Sequence, residues 1–137
     1  MQTTARNELT GKITAIIDGT VMSEVKIEVA PSILVSATVT KEGMDSLGLK
    51  VGDTVTALIK ASSVILSNKQ LKATARNILK GTVNEVLKGA VNSEVKLSLG
   101  SNIICAVVTN EAIEDLSIKA SQEAYAIFKA SSVILVG

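Results

Sequence analysis

Arginine, lysine, serine and threonine recur at matching places in the two halves of this chain. In the first half they are Thr4, Arg6, Thr40, Lys60 and Ser62, and in the second they are Thr74, Arg76, Thr109, Lys129 and Ser131. Arginine offers a rigid fork of hydrogen-bond donors and lysine offers a compact positive charge. The small residues Ala5 and Ala61 leave neighbouring backbone N–H groups approachable. Any one of these residues taken alone fits an ordinary surface position, but the shared placement favours a site for a tetrahedral dianion.

Two glycine-containing loops form a second candidate site. Residues 19–23 read Gly-Thr-Val-Met-Ser, and residues 89–93 read Gly-Ala-Val-Asn-Ser. A glycine beside a small residue lets successive backbone amides point at an anion. A simple hairpin turn explains the same residues, and the loops alone do not displace that interpretation.

An internal duplication explains why the donors repeat. Residues 60–66 and 129–135 are the same heptad, Lys-Ala-Ser-Ser-Val-Ile-Leu, and the T-A-R-N and S-E-V-K segments of the first half return in the second. The period is too long for a solenoid, so the sequence predicts two tandem small domains, residues 1–67 and 68–137. Domains of this size bury only about 60% of their unfolded surface, which favours mutual packing or oligomerisation.

The chain has few residues of the types that support catalysis or bind a metal ion. There are no histidines, and the single cysteine, Cys105, lies in an apolar run that predicts a buried core thiol. One cysteine without histidine builds neither an activated nucleophile nor a zinc site. The phosphate-binding patterns G-x-x-x-x-G-K-[ST] and G-x-G-x-x-G do not occur. The sequence therefore predicts a protein that is not an enzyme.

Nucleic-acid and membrane binding are also disfavoured. The net charge is +1, so no global field attracts a polyanion. Tyr125 and Phe128 are the only aromatic residues, too few for the stacking platforms that bind single strands. No apolar run approaches the roughly 20 residues of a spanning helix, and the first residues lack the pattern of a signal peptide. We expect a soluble, cytoplasmic protein without nucleic-acid or membrane partners.

The hydrophobic pattern predicts an all-β fold with a core of valine, isoleucine, leucine and alanine, because the chain is 47% hydrophobic but 1% aromatic. Strands are predicted over 6–17 (bulged or curved at Gly11), 21–29, 33–40, 54–60 and 64–66. One or two helical turns over 41–49 would begin at Thr40 as N-cap and end at Gly48. The second half repeats this order, which is that of a five-stranded Greek-key barrel of the OB type. A small sandwich or an SH3-like barrel stays open.

Four motifs occur in both halves: T-A-R-N-x-L-x-G, G-[TA]-V-x-S-E-V, V-T-x-E and K-A-S-S-V-I-L. Together they resemble the Mop domain, the molybdate- and tungstate-binding module of the molbindins. The resemblance covers nearly the whole chain, twice, as in molbindins built from two Mop domains. It implies two OB-type barrels, a homotrimer, and oxyanions held at subunit interfaces.

The resemblance also implies site residues by position. The first type of site would use Thr4, Ala5, Arg6, Thr40, Lys60, Ala61 and Ser62, or Thr74, Ala75, Arg76, Thr109, Lys129, Ala130 and Ser131. A second type, near a three-fold axis, would use Gly19, Val21, Ser23 and Glu24, or Gly89, Val91, Ser93 and Glu94. The implied function is cytoplasmic binding of molybdate or tungstate for molybdenum storage and homeostasis. The alternative is a non-catalytic OB-fold oligomerisation or interaction module without a specific anion.

Overall fold

The computed structural model describes residues 3–137 and consists mainly of β-strands. Met1 and Gln2, at the start of the predicted first domain, lie outside the described residues. The elements in chain order are β1 (Asn7–Asp18), β2 (Met22–Ala30), β3 (Ile33–Thr40), α1 (Lys41–Leu47), β4 (Thr54–Ile59), β5 (Ile65–Ser67), β6 (Asn77–Lys88), β7 (Asn92–Leu99), β8 (Asn102–Thr109), α2 (Asn110–Leu116), β9 (Glu123–Phe128) and β10 (Ile134–Val136). Single 3₁₀ turns, residues 61–63 and 130–132, precede β5 and β10. The predicted all-β class, with a short helix after the third strand of each half, is confirmed.

The strands form two five-stranded antiparallel sheets, and each sheet takes one strand from the other half of the sequence. The first sheet has the order β10-β4-β1-β2-β3, and the second has the order β5-β9-β6-β7-β8. Leu135 of β10 therefore lies opposite Ala57 of β4, and Leu66 of β5 lies opposite Ala126 of β9. The sequence predicts five strands in each half but not this exchange. The boundary at residues 67 and 68 stays a prediction about the sequence repeat.

The long strands β1 and β6 each pair with two neighbours. In β1 the register shifts between Ile13 and Ala15, so the bulge expected at Gly11 lies further along the strand. Gly11 has a different role, because a Cβ there would overlap the backbone carbonyl oxygen of Glu28 on β2. The missing side chain lets the two strands approach closely.

Alternation along the strands builds the core. In β2, Val25, Ile27 and Val29 are buried, whereas the intervening charged side chains are half-buried or exposed, as the sequence predicts. The largest fully buried side chain is Phe128, and most of the remaining core is aliphatic. Cys105 is buried, as predicted.

Both helices have seven residues and defined ends. Thr40 is the N-cap of α1, and Gly48 ends it in the left-handed conformation at φ 60°, as the sequence predicts. In the second half the corresponding caps are Thr109 and Ser117, the latter at φ 52°. Between residues 3 and 137, neither helix is long enough or apolar enough to cross a membrane.

Candidate anion-binding site

A small cavity of about 170 Å³ gathers most of the donors predicted for the second half. Its walls are formed by Thr38, Thr74, Ala75, Arg76, Lys129, Ala130 and Ser131. Strand pairing explains why they meet: Asn77 of β6 lies opposite Phe128 of β9, so the residues before β6 adjoin the residues after β9. All members of the predicted second-half set except Thr109 line this one cavity.

The side chains around this cavity offer hydrogen-bond donors and positive charge. Arg76 and Lys129 are exposed, and Thr38, Thr74 and Ser131 bring hydroxyl groups. No carboxylate is among the lining residues. Arginine and lysine only donate, whereas a hydroxyl can donate to an oxygen on any side. The chemistry fits a small oxyanion that carries negative charge on all of its oxygens.

The corresponding first-half residues are only partly brought together. Thr4, Ala5 and Lys60 line a wider cavity of about 510 Å³, whose other walls include Ser131 and Ser132 of the second half. The predicted first-half residues outside its walls are Arg6, Thr40, Ala61 and Ser62. Ser131 lines both cavities, so the two adjoin at the turn of residues 130–132.

Thr40 and Thr109, predicted as anion ligands, serve as helix caps in the structure. The Oγ1 of Thr40 accepts the N–H of Gly43 at 3.0 Å, and the Oγ1 of Thr109 accepts the N–H of Ala112 at 3.1 Å. Besides Thr74, the small cavity is lined by a second threonine, Thr38, which the sequence reasoning missed. The repeat carries no signal for it, because the corresponding residue of the second half is Val107, which has no hydroxyl.

The two glycine loops are closed as hairpin turns. Gly19 and Gly89 each donate their backbone N–H to the carbonyl oxygen three residues further on, at 2.9 Å. Val21 and Val91, within these turns, are largely exposed. The backbone N–H groups of both glycines thus form hydrogen bonds within the turn. For these amides, a simple hairpin turn is favoured over an anion-binding loop.

Ser23 and Ser93 were predicted as loop residues of the second site type. Their hydroxyls form hydrogen bonds with different kinds of partner. The hydroxyl of Ser23 donates to the Asp18 carboxylate at 2.9 Å. The hydroxyl of Ser93 donates to the side-chain oxygen of Asn110 at 2.5 Å, and the Asn110 amide in turn donates to the carbonyl of Gly89. The first loop therefore has a carboxylate beside it where the second has a neutral amide.

Glu24 and Glu94, also predicted with these loops, face arginines of the first site type. Glu24 pairs with Arg76 at 2.7 Å, and Glu94 pairs with Arg6 at 2.8 Å. A carboxylate repels an oxyanion, so any role of these side chains at an anion site is indirect.

Asn7 and Asn77, which follow the two arginines, anchor them to the opposite sheet. Asn7 donates to the carbonyl of Cys105 at 2.9 Å and accepts its N–H at 2.6 Å. Asn77 does the same with Ser36, at 2.9 and 2.7 Å. Each amide thereby places the arginine that precedes it against the other half of the molecule.

The Cys105 thiol is unsuited to nucleophilic chemistry. Burial, and then the nearby Glu94 carboxylate, raise the pKa of this thiol, so it stays protonated at neutral pH. Within residues 3–137 there is also no cluster of three or more His, Cys, Asp or Glu side chains that could hold a metal ion.

Comparison with known proteins identifies the family. The model of the TOBE domain matches residues 3–66 and 73–135. The chain belongs to the TOBE-domain family. This TOBE protein is 40% identical to a solved structure described as the cytoplasmic molybdate-binding protein ModG with molybdate bound, with a TM-score of 0.94 over 98% of both chains. The similarity confirms the resemblance to tandem Mop domains and the two OB-like barrels.

Curated relatives of this TOBE protein carry names connected with molybdenum. The molybdenum transport protein ModE of Azotobacter vinelandii is 41% identical over 98% of this chain and 51% of its own length. The molybdenum-pterin-binding protein MopA of Rhodobacter capsulatus is 36% identical over 98% of this chain and 52% of its own length. Molybdenum-pterin-binding protein 3 of Clostridium pasteurianum is 36% identical over 48% of this chain and 97% of its own length. The chain spans about half the length of the first two relatives, and none of the three names describes an enzyme.

Proposed function

We propose that this protein binds molybdate or tungstate in the cytoplasm, without catalysis, for molybdenum storage and homeostasis. The observation that carries the proposal is the cavity that joins Arg76 and Lys129 to three hydroxyl residues. The proposal is also supported by the overall similarity of this chain to ModG, a protein whose solved structure has molybdate bound.

The charge of the ligand explains the choice of residues. Molybdate and tungstate are tetrahedral dianions that carry no proton at neutral pH, so they need donors and no acceptor. A hydrogen bond to a charged group contributes about 1.5–3 kcal/mol. A phosphate that keeps a proton would be served better by a site with an acceptor, and the lining of this cavity offers no carboxylate.

Self-association into a homotrimer is part of the proposal. Large apolar side chains are exposed at corresponding positions of both halves, in the pairs Ile17 and Leu87, Val21 and Val91, and Ile65 and Ile134. Apolar surface repeated in this way favours burial against other copies of the chain. The small cavity is open to solvent beside Arg76, whose side chain is 63% exposed. A neighbouring subunit would close it and complete the shell of donors.

The test is thermal unfolding of the full chain with molybdate, tungstate, sulfate or phosphate at equal concentration, with the mass measured by light scattering. We expect a trimer whose melting temperature rises with molybdate and tungstate only, since a ligand that binds the folded state stabilises it by mass action. Arg76→Ala should reduce this rise, and the exposed Lys72→Ala should serve as the matched charge control. Equal rises with all four anions would contradict selectivity.

A second candidate, an OB-fold interaction module without a specific anion, is favoured by one observation. An apolar groove of about 220 Å³ runs between β3, α1 and β10, and it includes Met44, Leu47 and Ile134. This module predicts no stabilisation by any of the four anions. The same unfolding experiment therefore separates the two functions.

A further inference from the structure

Two ion pairs cross between the halves of the chain in a reciprocal pattern. Arg76 of the second half pairs with Glu24 of the first, and Arg6 of the first half pairs with Glu94 of the second. In each pair the arginine is the residue of the T-A-R-N motif and the glutamate is that of the S-E-V-K motif. The pairs therefore connect two motifs that lie far apart in sequence but recur together.

The register of the first sheet places Glu24 beside the small cavity. Glu24 on β2 lies opposite Thr38 on β3, and Thr38 lines the cavity together with Arg76. Glu24 itself is not a lining residue. Its carboxylate thus reaches the anion site only through the guanidinium that it binds.

The burial of the glutamates argues that they keep their arginines when an anion binds. The side chains of Glu24 and Glu94 are only 16% and 15% exposed, whereas those of Arg76 and Arg6 are 63% and 49% exposed. An arginine that left its glutamate would leave a largely buried carboxylate without its partner, which is unfavourable. In both pairs the contact is made through the single nitrogen Nη2, so the N–H groups on Nε and Nη1 are free of the glutamate.

We propose that Glu24 and Glu94 are positioning residues that fix Arg76 and Arg6 for anion binding, so that each half of the chain sets the affinity of the site in the other half. This inference rests on the proposed function. Glu24 has the more direct effect, because its arginine lines the small cavity and Arg6 lies outside the walls of the wider one. Glu94 is also approached by a second cation, Lys96, at 4.0 Å.

The experiment is calorimetric titration of the full chain with molybdate. Glu24→Ala should weaken one class of sites by about fivefold or more, whereas Glu24→Gln, which keeps an oxygen to accept from Nη2, should stay within about twofold of the wild type. Glu24→Asp keeps the charge but shortens the side chain, so it should also weaken binding. Glu28→Ala on the same strand, where Glu28 is exposed, is the matched control and should change nothing.

Each outcome decides between distinct explanations. A wild-type chain that binds no molybdate overturns the proposed function and this inference with it. A wild type that binds, with unchanged affinity in Glu24→Ala and Glu24→Asp, overturns the inference alone. Tighter binding in both Glu24→Ala and Glu24→Gln would show that the carboxylate competes with the anion, which also overturns it. The positioning role further requires that Glu24→Ala add no loss to Arg76→Ala in the double variant.

Discussion

At the scale of single residues, Asn7 and Asn77 act as substitutes for a neighbouring strand. β3 and β8 are edge strands, whose outer N–H and C=O groups lack a partner strand. The amide of Asn77 pairs with both backbone groups of Ser36 on β3, and the amide of Asn7 pairs with both of Cys105 on β8. Both asparagines are almost fully buried, and their bonds are buried at Cys105 and partly buried at Ser36. They hold the two sheets together and position the adjacent arginines.

Replacing one asparagine should therefore be costly. In Asn77→Ala the N–H and C=O of Ser36 lose their partners, and unsatisfied buried groups cost about 1–3 kcal/mol each. We expect the free energy of unfolding to fall by about 2–4 kcal/mol, measured by urea denaturation at fixed protein concentration. Asn84→Ala, an exposed position on the same strand, is the matched control and should have little effect. If the free energy of unfolding falls no further in Asn77→Ala than in Asn84→Ala, the amide does not hold the sheets together.

At the scale of elements, the exchanged strands β5 and β10 unite the two halves. The exchange places Val136 opposite Thr56, and Ser67 opposite Tyr125. An unexchanged chain would instead bring Thr56 and Ser67 together. The two arrangements make the same number of strand pairs with almost the same side chains. They differ in which half of the chain supplies the last strand of each sheet.

Paired cysteines distinguish the two arrangements. In a Cys105→Ser background, Thr56→Cys with Val136→Cys should form a disulfide within one chain, because cross-strand neighbours lie within the range that a disulfide spans. Thr56→Cys with Ser67→Cys should stay reduced under the same oxidation. The measurement is electrophoretic mobility without reductant, confirmed by peptide mass. A disulfide in the second variant and none in the first would contradict the exchange.

Features of this fold that depend on neighbouring residues are predictable from the sequence, whereas features that depend on contacts with distant strands are not. Alternation in β2, the Thr40 cap and the Gly48 stop depend on neighbouring residues, and the structure agrees with each of them. The exchange depends on which sheet a strand joins, and the heptads at residues 60–66 and 129–135, which lead into β5 and β10, are identical in sequence. No local pattern can then assign either strand to one sheet. The bulge was misplaced for a related reason, since Gly11 is required by a contact with Glu28 on another strand.

At the scale of the whole molecule, the duplication produces two similar but unequal halves. The T-A-R-N and K-A-S-S segments open and close each sequence repeat, and strand pairing brings those of the second half together at the small cavity, so most of that site was predictable. Thr38 was not predicted, because it comes from the other half and reaches the cavity through the packing of residues 130–132 on β3. Its counterpart is Val107, which lies opposite Glu94 as Thr38 lies opposite Glu24.

This inequality predicts two classes of anion site with different affinities. The hydroxyl of Thr38 adds a donor to the small cavity, while Val107 offers none at the corresponding position in the other half, and one hydrogen bond to a charged group contributes about 1.5–3 kcal/mol. Thr38→Val should therefore weaken the tighter class for molybdate by about ten- to a hundredfold, and Val107→Thr should strengthen the weaker class. Calorimetric titration of both variants and of the double exchange measures these shifts. Thr56→Val, an outward-facing threonine on β4, is the control for the lost hydroxyl. If Thr38→Val and Val107→Thr leave both affinities unchanged, the two halves differ for another reason, and the hydroxyl on β3 takes no part in holding the anion.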